Sequence, residues 1–322
     1  MRALVVHALA DDLSGTSLRD VPEPVRRPGE LLVRVRAAAL NYPDLLMTRG
    51  AYQLKPDLPF TLGMEMAGEV LAADPDSGFA PGDRVVAGTR LGSFAEQVAV
   101  SADAARPIPA GLDHAQAAAV GAAYLTAYVA LVRLGRMRAG EWVLVHGATG
   151  GVGLAAVDLA RALGGRVIAT SRSPDKLARL AEAYPIEATL PASGFREEVK
   201  ALTGGGADLV FDPVGGDVFD ESTRAIAFGG RLLVVGFTSG RIATVPTNLP
   251  LIKGFSVVGV RAGEFGRRFP DLGRENLDAV WRLAAEGRIT PHVHARYPLA
   301  GWRAAFEDMA ASRHIGKLVI EP

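Results

Sequence analysis

The stretch WVLVHGATGGVG, residues 142–153, joins a hydrophobic run to a glycine-rich turn. Trp142–Val145 are bulky or β-branched, which is typical of a strand covered on both faces of a sheet. Four glycines follow within Gly147–Gly153, and apolar residues at helical spacing then continue to Leu163, where two glycines provide a stop. The pattern predicts a buried strand, a tight turn and a helix.

This turn has the properties of a pyrophosphate-binding loop, although Ala148 stands where the usual GxGxxG pattern has its first glycine. Gly150 lets the backbone approach an anion, and Gly153 lets the helix pack closely on the strand. The helix N-terminus presents free N–H groups to the negative charge. We therefore predict a dinucleotide cofactor, bound here by Thr149, Gly150, Gly151 and Val152.

The chain divides into segments of different character. Residues 1–122 hold short strand candidates separated by Pro and Gly, which predicts a compact β-rich domain. Among them, Leu31–Leu40 alternates apolar residues with Arg34 and Arg36, which predicts a strand with one wet face. Residues 123–262 alternate strands with helices, for example Pro174–Ala183 and Phe219–Ala227. Six strands with crossover helices predict an α/β fold with a doubly wound parallel sheet. Residues 263–322 cannot easily bury a core alone, so we expect them to return to the amino-terminal domain.

The predicted sheet places several motifs at one edge, because ligands of such sheets lie at the carboxyl ends of the strands. Thr170–Arg172 follows the second strand, Asp212–Gly216 follows the fourth, and Gly236–Phe237 follows the fifth. The six predicted strands are Trp142–Gly147, Arg166–Thr170, Glu187–Leu190, Ala207–Phe211, Arg231–Phe237 and Phe255–Val260. From these motifs Val214, Gly236 and Phe237 are predicted to bind the cofactor.

Composition excludes several classes of function. The 322 residues carry a formal net charge of zero, and no Lys or Arg cluster interleaves with aromatic residues, so the electrostatic footprint of a nucleic-acid or membrane-surface protein is missing. Residues 115–132 are uncharged but interrupted by Gln116, Gly121 and Thr126, which favours two short buried helices over a membrane span. The first apolar run is too short for a signal peptide, and we expect a cytoplasmic protein.

The sequence predicts no metal site. It contains no cysteine, which excludes disulfides and thiolate ligands. His292 and His294 share one face of a strand, but no acidic partner or third histidine lies near them in the sequence. We interpret this pair as a polar strand edge.

The end of the second predicted strand favours NADPH over NADH. Enzymes that prefer NAD usually place a carboxylate there to bind the ribose hydroxyls, but this chain has Thr170, Ser171 and Arg172. Hydroxyls and a guanidinium bind a 2′-phosphate, and Lys176 adds a second cation one helical turn further. Ser173, Pro174 and Asp175 have the pattern of a helix N-cap and first turn, so Asp175 complements the helix dipole.

The order of these domains resembles the medium-chain dehydrogenase/reductase superfamily, and specifically its zinc-free quinone oxidoreductase branch. Zinc alcohol dehydrogenases of the superfamily have a GHE motif, whereas this chain reads Gly63–Met64–Glu65. The segments that carry the likeness are Ala39–Asp44, Arg49–Tyr52, Pro59–Val70, Pro81–Val85, Gly147–Gly153, Asp212–Gly216, Gly229–Phe237, Asn248–Gly259 and Gly316–Ile320.

The resemblance implies a β-rich GroES-like catalytic domain, a Rossmann domain and direct hydride transfer from the cofactor. In similar enzymes the residues matching Asn41, Asp44 and Tyr52 border the nicotinamide cleft, and those matching Thr126 and Val235–Phe237 hold the ring. Arg313 matches a position that contacts the 2′-phosphate in some members. The tyrosine that contacts this phosphate in the family is absent, since the segment reads Thr189–Leu190–Pro191. Leu46 replaces a tyrosine of some bacterial members, which favours bulky apolar acceptors.

Several alternatives stay open at this point. Asn41 either binds a substrate oxygen or the cofactor ribose, or only caps a turn before Pro43. Tyr52 either donates to a substrate carbonyl or only fills a gap. Asp44 is expected to orient Asn41 or Arg49 rather than to transfer protons.

Three functions fit these residues. The first is an NADPH-dependent reductase of quinones or α,β-unsaturated carbonyls, the second is an enoyl thioester reductase, and the third is a non-catalytic NADPH-binding protein. The hydrophobic last strand of the predicted sheet, Phe255–Val260, would lie at an edge that invites pairing, so a homodimer is also expected.

Overall fold

The computed structural model describes residues 1–322, which form two compact units. The first unit comprises Met1–Ala122 and Pro291–Pro322, and the second comprises Ala123–Thr290. Strands and helices are numbered along the whole chain, so the numbering of each unit skips the elements of the other.

The first unit is dominated by antiparallel strands. The strands are β1 (Arg2–Val6), β2 (Thr16–Asp20), β3 (Glu30–Ala39), β4 (Phe60–Thr61), β5 (Glu65–Ala72), β6 (Arg84–Gly88), β7 (Gln97–Ser101), β8 (Ala105–Pro107), β15 (Val293–Pro298) and β16 (Lys317–Glu321). A sheet runs in the order β15-β16-β3-β5-β6-β8, with β7 also paired to β3, and a small sheet runs in the order β2-β1-β4. Its helices are α1 (Tyr42–Thr48), α2 (His114–Ala118) and α11 (Trp302–Ala310).

Strand β3 shows why these residues form a sheet with one wet face. Arg34 and Arg36 are exposed, whereas Val33 and Val35 between and beside them are buried. This is the alternation predicted from the sequence, and it follows from the two-residue period of a strand. The buried face packs into a hydrophobic cluster in which Phe94 meets Phe306 of α11 edge to face, with ring centroids 6.2 Å apart.

The second unit contains the predicted doubly wound sheet. Its six parallel strands are β9 (Trp142–Val145), β10 (Arg166–Ser171), β11 (Ala188–Pro191), β12 (Ala207–Asp212), β13 (Ile226–Val234) and β14 (Ser256–Gly259). They lie in the order β11-β10-β9-β12-β13-β14, which places β9, the strand before the glycine-rich turn, in the middle. The predicted fold class is confirmed.

Helices connect most of these strands. They are α4 (Gly151–Ala162), α5 (Pro174–Ala183), α6 (Arg196–Thr203), α7 (Gly216–Ser222) and α8 (Asn248–Lys253), followed by α9 (Ala262–Arg268) and α10 (Pro270–Ala285). Helix α3 (Gly121–Tyr128) and a π-helical segment, Val129–Leu134, precede β9. The uncharged run 115–132 is therefore shared by α2, α3 and the π-helical segment, and no helix of this chain combines the length and apolar character that a bilayer span needs.

The tail returns to the first unit later than predicted. Residues 263–290 belong to the second unit, and the chain joins the first unit only at Pro291. The reason is the apolar face of α10, where Val280 and Leu283 are buried. Buried Asp158 of α4 also accepts a hydrogen bond from the Thr290 N–H at 2.6 Å, which fixes the end of this segment.

Replacing Gly153 or Gly150, which follow β9, by alanine should change the stability of the protein to different extents. An ideal Cβ on Gly153 would lie 2.1 Å from the Gly147 carbonyl oxygen, whereas a Cβ on Gly150 would meet nothing nearer than 3.4 Å. We expect Gly153→Ala to lower the free energy of unfolding by about 3 kcal/mol, because backbone must move. Gly150→Ala, at φ −83°, should stay within about 0.5 kcal/mol of the parent. Urea unfolding followed by circular dichroism measures both, and equal losses would contradict this explanation.

Candidate active site

The glycine-rich turn of the second unit is shaped to receive an anion. Gly147 adopts φ +56°, a left-handed conformation that favours glycine, and the N–H of Ala148 donates to the Thr170 carbonyl at 3.0 Å. Gly150 precedes the first turn of α4, and no side chain caps that helix. Its first N–H groups therefore stay available to a negatively charged ligand.

A buried hydrogen-bond chain lies under this turn, and the sequence did not reveal it. His146 is fully buried, with Nδ1 2.8 Å from Thr170 Oγ1 and Nε2 2.8 Å from Ser222 Oγ. Ser222 Oγ donates to the Val218 carbonyl at 2.7 Å, so His146 Nε2 must carry the hydrogen and Thr170 must donate to Nδ1. Burial lowers the His146 pKa to about 3, which keeps the ring neutral. The Thr170 hydroxyl therefore donates its hydrogen to His146 and not to a ligand.

The carboxyl ends of β10 and β11 open into a cavity of about 430 Å³. Ser171 and Arg172 line it, and Ser171 Oγ lies 3.1 Å from Thr149 Oγ1 of the glycine-rich turn. The exposed Arg172 side chain makes no hydrogen bond or ion pair within the protein. The other lining residues are Pro174, Leu177, Ala178, Thr189, Leu190, Pro191, Ala192 and Ser193.

Positive charge collects beside this cavity. Ser173 caps α5 by accepting the N–H of Lys176 at 3.4 Å, as predicted for the helix start. Burial lowers the Lys176 pKa, and the charges of Arg172 and Arg179 lower it further. Arg179 was missed in the sequence, although its spacing of three residues from Lys176 places both on one face of a helix.

The loop after β12 is held by Asp212, a second residue that the sequence analysis did not assign. Asp212 is buried, and its Oδ1 accepts the N–H groups of Val214 at 2.8 Å and Gly215 at 2.9 Å. Its main-chain carbonyl accepts the N–H of Val235, at the end of β13. Burial raises the Asp212 pKa, while the backbone hydrogen bonds oppose this shift. One residue thus links two strand ends.

The other residues predicted to bind the cofactor lie on loops of the second unit, on α3 and in the first unit. Val214 and Gly236 are half-buried beside Asp212, and Phe237 is 46% exposed. Thr126 is half-buried on α3. Arg313 belongs to the first unit, where its Nε donates to Asp308 Oδ1 at 2.7 Å. Arg313 is therefore engaged in an ion pair within its own unit.

A buried polar cluster lies in the first unit, formed by Asn41, Asp44, Glu65 and Lys317. Asn41 Nδ2 donates to Glu65 Oε1 at 2.8 Å, and Lys317 Nζ lies 2.7 Å from Asn41 Oδ1 and 3.1 Å from Glu65 Oε1. The N–H of Asn41 donates to Asp44 Oδ2 at 2.9 Å. The structure thus brings the predicted residues Asn41 and Asp44 together and adds Glu65 and Lys317.

Burial dominates the electrostatics of Asp44. The side chain is fully buried, and this burial raises its pKa to about 7, while the Asn41 N–H and the charge of Lys317 oppose the shift. Asp44 Oδ1 has no hydrogen-bond partner. Within the cluster the carboxyl group therefore bonds only through Oδ2, which accepts the main-chain N–H of Asn41.

Tyr52 makes no hydrogen bond to this cluster. It is half-buried and packs against the hydrophobic core of the first unit, and its hydroxyl has no hydrogen-bond partner within the protein. The half-buried Met64 precedes Glu65, and no group of three or more His, Asp or Glu side chains in the chain is arranged to hold a metal ion.

Both units match families of known proteins. Residues 27–110 match the alcohol dehydrogenase GroES-like domain, and residues 151–283 match the zinc-binding dehydrogenases. Quinone oxidoreductase-like protein 2 of Mus musculus is 36% identical over 304 residues, which cover 93% of this chain and 86% of the mouse protein. The quinone oxidoreductase of Thermus thermophilus, also solved as a complex with NADPH, is 36% identical, with a TM-score of 0.88 over 100% of both chains.

A multidomain protein is also similar. A mycocerosic acid synthase-like polyketide synthase of Mycobacterium tuberculosis is 36% identical over 298 residues, which are 91% of this chain but 14% of the synthase. Together, the fold and these likenesses define an oxidoreductase with a GroES-like and a Rossmann domain. The chain belongs to the medium-chain dehydrogenase/reductase superfamily, in its quinone oxidoreductase branch, as its sequence motifs predicted.

Proposed function

We propose that this protein transfers a hydride from NADPH to a quinone or an α,β-unsaturated carbonyl compound without a metal ion. The observation that carries the proposal is the continuous surface from the uncapped start of α4, through Thr149 and Ser171, to the cavity beside Arg172. Such a surface matches a dinucleotide with a pyrophosphate at one end and an additional phosphate at the other. Bound NADPH supplies the hydride, and the protein orients the reactants.

The cations beside the cavity favour NADPH over NADH. Arg172, Lys176 and Arg179 bring three positive charges together, and no carboxylate opposes them among the groups that shift the Lys176 pKa. A 2′-phosphate would neutralise this charge, and Ser171 would donate a hydrogen bond to it. The NADPH complex of the Thermus relative supports the same cofactor.

Residues of the first unit would act on the acceptor. The Tyr52 hydroxyl has no partner in the protein and therefore remains able to donate to a carbonyl or quinone oxygen. Asn41 would offer only its amide oxygen, to a hydroxyl of the bound ligand, and Asp44 would keep Asn41 in place. Half-buried apolar side chains that, like Tyr52, pack against the hydrophobic cluster of this unit, Leu54 and Met64 among them, favour a bulky hydrophobic acceptor.

The first test is anaerobic oxidation of NADPH with a panel of quinones, enones, enals and a crotonyl thioester, with NADH in parallel and products identified by mass. We expect quinones to give hydroquinones and enones to give saturated ketones, with NADPH preferred. Tight NADPH binding without turnover of any acceptor would instead support a non-catalytic binding protein.

Enoyl thioester reduction is the second candidate, favoured by the likeness to the polyketide synthase. In this reaction hydride adds to the β-carbon and a proton to the α-carbon. The crotonyl thioester would then be the best acceptor of the panel, and Tyr52→Phe would lower its rate. An unchanged rate in Tyr52→Phe would show that Tyr52 only fills space.

The cofactor preference has its own prediction. Replacing Arg172 by Ala removes one charge-assisted contact to the 2′-phosphate, so the NADPH Kd should rise about tenfold while the NADH Kd stays constant. Arg224→Ala is the matched control, because Arg224 is also an exposed arginine of the second unit but lies just before β13. Nicotinamide fluorescence titration measures both constants for each variant. An equal change for both cofactors would contradict the assignment.

We also propose a homodimer formed through β14. This strand ends the sheet, and a hydrophobic surface lies beside it, with Phe228 87%, Leu251 82% and Ile252 71% exposed. An unpaired strand edge and an exposed apolar patch both favour association.

Charge placed on this surface should dissociate the dimer. We expect Leu251→Glu with Ile252→Glu to be monomeric at micromolar concentration in multi-angle light scattering. Leu202→Glu, on α6 and 43% exposed, is the control and should leave the dimer intact. A monomeric parent protein would contradict the proposal.

A further inference from the structure

Lys317 and Glu65 form an ion pair that is almost completely withdrawn from water. Lys317 is 5% exposed and Glu65 3% exposed, and their Nζ and Oε1 atoms are 3.1 Å apart. The second oxygen of Glu65, Oε2, accepts the N–H of Ala122 at 2.7 Å. A buried ion pair is costly to desolvate and is weak evidence for stability, so its presence calls for another reason.

The pair sets the orientation of one amide group. Lys317 can only donate hydrogen bonds and the Glu65 carboxylate can only accept them. Asn41 therefore turns Oδ1 toward Lys317 Nζ, at 2.7 Å, and Nδ2 toward Glu65 Oε1, at 2.8 Å. Rotating the amide by 180° would place N–H groups against an ammonium and an oxygen against a carboxylate. The two charges thus exclude the flipped amide.

This orientation decides how Asn41 meets a ligand. Its two N–H groups are both used, by Glu65 Oε1 and by the Ala39 carbonyl at 3.2 Å. The amide oxygen can accept two hydrogen bonds, and Lys317 Nζ makes one of them, while the N–H of Asp44 donates to the Asn41 main-chain carbonyl at 2.9 Å. Asn41 is half-buried, and the second lone pair of its amide oxygen is the hydrogen-bonding position that its side chain can still offer to a ligand.

We propose that Lys317 is a positioning residue, which together with Glu65 fixes Asn41 so that the amide accepts a hydrogen bond from a ligand hydroxyl. The inference rests on the proposed function for the identity of that ligand. The hydroxyl belongs either to the ribose of the cofactor or to the hydroquinone formed from a quinone. Asn41 does not donate to a carbonyl oxygen, since its donors are spent.

Two variants test this role. Lys317→Met removes the cation, and Glu65→Gln combined with Lys317→Met removes both charges, which avoids an unpaired buried carboxylate if the single variant does not fold. Lys317→Arg restores a charged donor. The matched control is Lys253→Met, because Lys253 is also shielded from water in part and bonded through Nζ to a carbonyl, that of Thr223, but lies on α8.

The orientation is read directly from the amide of Asn41. The chain has three asparagines, so ¹⁵N-asparagine labelling gives three side-chain NH₂ signals, and the signal absent from Asn41→Asp identifies Asn41. We expect this signal to shift in Lys317→Met and in the double variant, to return toward its original position in Lys317→Arg, and to stay in place in Lys253→Met. An unchanged Asn41 signal in both the single and the double variant would overturn the proposal.

Kinetics then identify the source of the hydroxyl. If the ribose supplies it, Lys317→Met raises the NADPH Kd about tenfold and lowers kcat/KM equally for a quinone and an enone. If the hydroquinone supplies it, the NADPH Kd is unchanged and the loss of kcat is confined to quinones. A variant with a shifted amide signal but unaltered Kd, KM and kcat would refute the role toward a ligand.

The outcome is separable from the proposed function. If the parent protein reduces no acceptor, the proposed reaction fails, whereas the amide signal and the NADPH Kd still decide the role of Lys317.

Discussion

Close packing of α4 on the end of β9 is the constraint on which the second unit depends. Gly153 lies so near the Gly147 carbonyl that no side chain fits there, and this contact aims the start of the helix at the turn. The same turn is tied to β10 by the N–H of Ala148. The positions of a helix, two neighbouring strands and an anion-binding backbone thus depend on Gly153 having no side chain.

The sequence predicted much of this unit, because its signals are local. Each of the six strands overlaps a strand that the sequence predicted, and Ser173 with Pro174 predicted the start of α5. The prediction was wrong for the helix placed over Phe219–Ala227, since α7 ends at Ser222 and β13 already begins at Ile226. Parallel pairing of Ile226 with Ala207 decides that boundary, and propensity does not describe such tertiary contacts.

The polar cluster of the first unit could be predicted only in part. Asn41 and Asp44 are three residues apart, and a helix start brings such residues together. Glu65 and Lys317 are separated by 252 positions, so nothing in their spacing predicts contact. Both belong to segments that carry the family likeness, but their pairing is set by β16 lying beside β3 and β3 beside β5. Sheet order is a property of the whole fold.

The chain through His146 has a consequence for how the protein responds to acidity. Its imidazole is neutral down to about pH 3, and its neighbours Thr170 and Ser222 do not ionise in that range. The hydrogen-bond chain under the glycine-rich turn therefore takes up and releases no proton across the pH range of living cells. This hydrogen-bond chain therefore adds no pH dependence to the binding of a dinucleotide. Any pH dependence of that binding must originate in the ligand or in the charged side chains around the ligand.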